Sequence, residues 1–275
     1  MDESLMEKTA LLQRKIASWT VGEGLAAAEE AGSLRATPEG GWRLSAGENE
    51  RSHWMHVAGN VQLNCKFLMH VMFLHVYQQR QVPQGCAACF KVKVSPRTLR
   101  ELVALSEVIR NLPYTAKCGL DAHSNYTQGI YGGYFYLDGI EAARVAYAHI
   151  RQAVDEHPRL GQDVPIHIKR GCTEFEIKCG PSDCYEFPPE LGEIESALTT
   201  YIPPAPPREK PAIQERALIM AQWIETAYRL GDNTYLDFTG GRRWYPATVH
   251  YDPAGTDSPP GAMPSGPHST LENAP

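Results

Sequence analysis

The chain has 275 residues and is 43% hydrophobic, which is enough for one large domain or two smaller ones, each with its own core. Its 26 Lys and Arg stand against 32 Asp and Glu, a net charge of −6 that disfavours a protein that coats nucleic acid. No stretch approaches the ~18 apolar residues of a transmembrane helix. The acidic start MDESLMEK lacks the basic-then-apolar order of a secretory leader, so the expected setting is the cytoplasm, away from membranes.

In chain order, residues 1–50 read as a helix–helix–hairpin region. Leu5, Leu12 and Ile16 recur at roughly helical spacing, and Gly22 to Ala31 is rich in alanine. Leu34-Arg35-Ala36 and Trp42-Arg43-Leu44 then flank Pro38-Glu39-Gly40-Gly41, a hairpin with a glycine-containing turn. Such a unit is either a small winged helix or a plain cap on the core. His53 to Gln79 reads as one long apolar helix, with a break near Gly59.

Residues 51–200 read as an α+β core. Phe90 to Val94 (FKVKV) alternates as a strand, and Ser95-Pro96 then opens a helix carrying Leu99, Leu102, Val103, Ile109 and Leu112. Tyr114 to Leu120 and Ile130 to Leu137 read as two further strands, Gly139 to His157 as a second amphipathic helix, and Val164 to Ile168 as a fourth strand. Alternation at Phe175, Ile177 and Cys179 predicts more strand, either continuing past a bulge at Gly171 or turning back as a hairpin. The order β-α-β-β-α-β is that of a ferredoxin-like sheet with helices on one face, a topology that does not by itself imply a cluster. Residues 201–211 form a Pro-rich linker, and residues 212–251 a C-terminal helix with an extension. Residues 252–275, rich in Pro, Gly and Ser, read as a disordered tail.

The chemistry-bearing signal is the cysteines. Seven is an odd count, and thiols of a cytoplasmic protein stay reduced, so their clustering points to metal rather than to disulfides. Cys86 and Cys89 form C-x-x-C, a spacing that aims two sulfurs the same way. Cys179 and Cys184 flank Gly180-Pro181. In the expected topology the last strand ends beside the start of the first, which would gather Cys172, Cys179 and Cys184 near Cys86 and Cys89. Cys65 reads as a core cysteine on a helix face, and Cys118 lies within a strand. The expected centre is an iron–sulfur cluster serving electron transfer or a redox reaction, with Cys86, Cys89, Cys172 and Cys179 as ligands and Cys184 in reserve. A zinc ion stapling a module that docks a protein or nucleic acid is the alternative.

A third possibility is a metal-free enzyme in which His123 acts as the acid–base group and Asp121 as its partner, in the loop DAHSNY. Arg170 is a candidate contact for an anionic cofactor or small-molecule substrate, and Arg242-Arg243 for a phosphate-bearing partner. Gly132-Gly133 is not a phosphate loop, because no Lys-Ser/Thr follows and no helix opens there. His53, His56, His70 and His75 read as core or capping histidines.

Overall fold

The structure, a computed structural model, describes residues 3–45, 53–61, 64–121, 129–204, 213–246 and 251. The region expected to be a disordered tail lies outside these, as does most of the Pro-rich linker.

The N-terminal elements are α1 (Glu3–Gln13), a short pair β1 (Lys15–Ile16) and β2 (Trp19–Thr20), then α2 (Val21–Glu30) and the hairpin β3 (Leu34–Ala36) with β4 (Trp42–Leu44). Helix α2 begins on a capping box. The Thr20 hydroxyl accepts the Glu23 N–H at 3.2 Å, and the Glu23 carboxylate accepts the Thr20 N–H at 2.6 Å.

The helix expected over His53–Gln79 is instead a strand, a loop and a helix. Strand β5 (Trp54–Val57) buries Met55 and leaves its neighbours half-buried, so the period over these residues is two. Gly59 then runs against the chain at Tyr114, where an added Cβ would lie 2.2 Å from the Tyr114 carbonyl carbon. The Thr115 hydroxyl fastens this approach, accepting the Gly59 and Val61 N–H groups and donating to the Val61 carbonyl. Beyond it, α3 (Cys65–Phe67) passes into a π-helix, Leu68–Val76, closed by the Tyr77 N–H on the Met72 carbonyl.

The remaining strands are β6 (Cys89–Val94), β7 (Ala116–Leu120), β8 (Tyr131–Asp138) and β9 (Ile166–Arg170), with α4 (Leu99–Asn111) after β6 and α5 (Ile140–Glu156) after β8. They form a five-stranded sheet in the order β5-β7-β8-β6-β9, antiparallel at every pairing. Val92, Val94, Ala116, Leu120, Phe135 and Leu137 of the sheet pack with α4 and α5 in one core, which the fully buried Trp223 of α8 (Ile213–Arg229) joins.

Residues 173–179, expected as strand, are a helix, α6 (Thr173–Cys179). Gly171 at φ +65° turns the chain, and Cys172 is the N-cap. Phe175 is 1% exposed but Ile177 is 47% exposed, so these alternate residues do not share a face. Cys172, Phe175 and Cys179 recur instead at i, i+3 and i+7 and pack on one small cluster with Phe73 and Val82. Helix α7 (Pro189–Tyr201), which the sequence reading does not include, supplies Ile194 and Leu198 to a second core shared by α2, the β3–β4 hairpin and the π-helix. The N-terminal elements therefore share their core with residues of the central region.

Asp232 ties the start of α4 to β8 and to the C-terminal segment. Its carboxylate accepts the Leu99 N–H at 2.6 Å, the Tyr131 hydroxyl at 2.7 Å and both donors of Thr234. Burial alone would raise its pKa, but the bonds from Tyr131, Thr234 and Leu99 outweigh it and hold the carboxylate below its usual range. A depressed folded pKa gives stability that is complete above the unfolded value and lost as pH falls through the folded one. Asp232→Asn is therefore expected to cost about 1–2 kcal/mol at neutral pH and to flatten the acid limb of stability against pH, as read by urea unfolding between pH 3 and pH 7.

Candidate functional site

Side chains alternate across a strand, so the sheet has a second face turned away from α4 and α5. That face is unusually basic. The pairing registers align His56, Lys117, Tyr134, Lys93 and His167 in one row straight across the five strands. Two residues along, Tyr136, Lys91 and Lys169 form a second row.

The centre of this face is buried, with Lys91 at 6% and Lys93 at 8% exposure. Lys93 Nζ lies 3.5 Å from Asp121 Oδ2, and the Tyr134 hydroxyl donates to the same oxygen at 2.5 Å. Glycines make room for this carboxylate and its surroundings. A Cβ on Gly132 would come within 2.8 Å of Asp121 Oδ2, and one on the paired Gly119 within 2.3 Å of the His53 carbonyl oxygen. Lys117 Nζ sits 4.0 Å from the centre of the Trp54 ring and 5.4 Å from that of Tyr134.

Burial, and after it the neighbouring Lys91, pulls the Lys117 pKa down. Burial likewise lowers His167, reinforced by Lys93 and Lys169. Burial also opposes the charge on Lys91, but Cys172, Tyr136 and Cys89 outweigh it and its pKa lies above the ordinary lysine value. At the edge, Lys169 bonds Thr173 and pairs with Glu176 at 3.0 Å. Within the trio Lys91, Lys93 and Lys117, the ion pair found among the described residues is that of Lys93 with Asp121.

A group of thiols adjoins this face. Lys91 Nζ donates to Cys172 Sγ at 3.0 Å. Cys86, Cys89 and Cys172, three of the five expected ligands, lie near enough to influence one another's ionisation, and Cys65 is the fourth member in place of Cys179 or Cys184. Burial raises the Cys86 thiol, with Cys172, Cys89 and Cys65 adding to it. Burial pushes Cys89 up to about 11, with Lys91 opposing. Cys179 packs beside Phe175 and contacts the Gln79 carbonyl at 3.7 Å, while Cys184 is exposed in the 3-10 turn Ser182–Cys184. Cys118 is fully buried on the helix-facing side of the sheet. Among the described residues no three Cys, His, Asp or Glu side chains are arranged to hold one metal ion.

The other expected site residues are dispersed. His123 lies outside the described residues. Asp121 is found in the lysine site. Arg170 donates to the Ala87 carbonyl from Nε and Nη2 and to the Ser182 carbonyl from Nη1, with its guanidinium against Phe90 and Phe187. Arg242 and Arg243 are exposed. The lysine face was missed in the sequence although its signal is there. In FKVKV the lysines alternate with the valines of the core, and Lys117 and Lys169 occupy equivalent positions in AKCGL and IHIKR.

Among the described residues no helix is long and apolar enough to cross a membrane. Comparison with protein-family models, with curated proteins and with solved structures returned no match for this chain.

Proposed function

We propose that this protein binds a small phosphate-bearing molecule over the lysine face of its sheet, on a core of the ferredoxin-like βαββαβ class. The strand order β7-β8-β6-β9, with α4 and α5 packed on one face, supports the class. A single observation carries the function: three lysines gather on one face, two of them less than a tenth exposed, and among the described residues one carboxylate, Asp121, forms an ion pair there, with Lys93. A buried charge costs several kcal/mol unless it is compensated. An excess of such charge is a stability liability that an anionic ligand removes, and perturbed lysines grouped this way mark functional sites. The net charge of −6 and the burial of the central lysines favour a small anion over a nucleic-acid strand. Asp121, expected as a partner of His123, enters this site through Lys93 and Tyr134.

The test is calorimetric titration with inorganic phosphate and pyrophosphate at low ionic strength, alongside thermal unfolding. Saturable heat and a raised melting temperature, both diminished in Lys93→Gln, are expected. If neither anion binds at millimolar concentration, the reading is wrong.

A second reading is favoured by the gathering of Cys65, Cys86, Cys89 and Cys172 round Lys91. Among the described residues these thiols are not arranged to hold one metal ion, so this reading requires them to close on an iron–sulfur cluster in a redox role, or on a zinc ion, with Lys91 donating to one sulfur and so offsetting its negative charge. Anaerobic purification, elemental analysis and visible absorbance decide it. Iron with a broad visible band, or colourless stoichiometric zinc, would support it if lost in Cys86→Ser but kept in Cys184→Ser. Metal-free protein would end it.

A further inference from the structure

The lysine face does not stop at its buried centre. Lys93, whose ammonium faces Asp121, also lines a cavity of about 730 Å³, half open to solvent, at the β9 edge. His167 and Lys169 continue its basic wall, while Pro96, Ile130 and Pro165 make an apolar one. Glu176, also in the wall, is occupied by Lys169 at 3.0 Å.

We infer that the ligand is a phosphate ester with a flat, apolar body, the class of the nucleoside phosphates, its phosphate over Lys93 and its body in the cavity beside Pro96, Ile130 and Pro165. The inference rests on the phosphate-binding reading and specifies its ligand. The cavity is far larger than inorganic phosphate fills, so a free anion leaves most of it to water. Two proline rings and an isoleucine offer little to a polyhydroxylated sugar but make good contact with a planar ring. Basic groups on one side and apolar groups on the other sort a ligand end from end, as small-molecule sites do with a few placed polar groups. His167 is the group here whose charge changes nearest neutral pH. Its pKa is lowered by partial burial and by Lys93 and Lys169, and the cations of the cavity wall are Lys93, Lys169 and Arg97, the last ion-paired with Glu101 at 3.0 Å.

Four probes of the full-length protein test this by titration calorimetry: adenosine 5′-monophosphate, ribose 5-phosphate, inorganic phosphate and pyrophosphate. The nucleotide is expected to bind at least about tenfold tighter than ribose 5-phosphate or phosphate, and the gap from ribose 5-phosphate isolates the ring. Pro165→Trp, which keeps the carbonyl that the Ser95 N–H bonds and places a bulky ring at the cavity, is expected to erase that gap while phosphate binding persists. Circular dichroism confirms that the variant is folded. Should Pro165→Trp not fold, Ile130→Trp, at a half-buried position of the same wall, replaces it. Equal affinity for all four probes overturns the ester assignment and leaves the anion site standing. Failure of every probe to bind overturns both.

Discussion

Lys117→Met is expected to leave the protein as stable as the parent, or more so, while weakening its affinity for pyrophosphate at least about tenfold. The two effects have opposite signs because the ammonium is held where folding does not want it. Lys117 is pulled below its usual pKa by burial and by Lys91, and its described contacts are the Trp54 and Tyr134 rings. A folded pKa below the unfolded value means that the unfolded chain binds more protons. The group therefore opposes folding at neutral pH, and that cost fades as pH rises toward the free-lysine value of about 10.4. Methionine fills nearly the same space without a charge, so it relieves the cost and keeps contact with the indole. Thermal unfolding at pH 7 and pH 9.5 measures the first half, and the stability gain should shrink at the higher pH. Calorimetry measures the second half. A variant that is less stable yet binds pyrophosphate normally would mean that Lys117 is structural and that the face is not a ligand site.

Glu195→Ala is expected to be the most destabilising of the substitutions considered, by about 3–5 kcal/mol, for it removes one acceptor from three donors. Glu195 is 6% exposed. Oε1 accepts the Tyr77 hydroxyl and the Gln84 N–H, each at 2.7 Å, and Oε2 accepts the Gly85 N–H at 2.8 Å. These bonds join α7 to the end of the π-helix and to the 3-10 turn Gln84–Cys86 that presents the first cysteine of the C-x-x-C. Burial raises the Glu195 pKa, and the bonds from Gly85, Tyr77 and Gln84 recover part of the shift. With the folded value still above the unfolded one, the folded state holds its proton to higher pH, and stability falls as pH rises through that range. Glu195→Gln keeps one oxygen but turns an amide against a donor, so a loss of about 1–2 kcal/mol is expected, between parent and alanine. Urea unfolding of the three proteins at pH 5 and pH 7 gives the order. A Glu195→Ala protein with the parent's midpoint would show that solvent or neighbouring groups satisfy these donors.

The secondary structure was legible in the sequence where the two faces of an element differ in polarity. FKVKV carries its period plainly because lysine alternates with valine although both faces are buried, and the helices over Leu99–Asn111 and Ile140–Glu156 because each lies half in a core. The errors came where that condition fails. Residues 53–79 place apolar side chains at both alternate and helical spacings, with His53, His56, Asn60, Asn64, Lys66, His70 and His75 scattered among them, so no single period stands out. What divides it is the near contact of Gly59 with Tyr114, a tertiary event with no local mark beyond a glycine. Residues 173–179 mislead in the opposite way, since an i, i+2 alternation of Phe175, Ile177 and Cys179 coexists with the i, i+3, i+7 set that is actually used. For the site, spacing and topology brought Cys86, Cys89 and Cys172 together but could not exclude Cys184 or admit Cys65, whose place depends on the misread helix. The lysines were visible as alternate residues in three strands. Their meaning required knowing that the face they occupy is closed off, because a row of lysines on an open sheet is merely solvated.

The π-helix Leu68–Val76 turns its wider girth to two uses at once. Val71, Met72 and Val76 engage the N-terminal core, while Phe73 sets its ring edge-on against Phe175, 4.6 Å between centres, on the side of Cys172. An ordinary helix turns by about 100° per residue, so deleting a single amino acid within this stretch would swing one of the two sets of side chains off its seat. The segment thus works as a spacer of fixed phase. It obliges the α1–α2 bundle and the cysteine-bearing edge of the sheet to keep one mutual orientation, and a shift of either would be felt by the other through the rotation of a single rod.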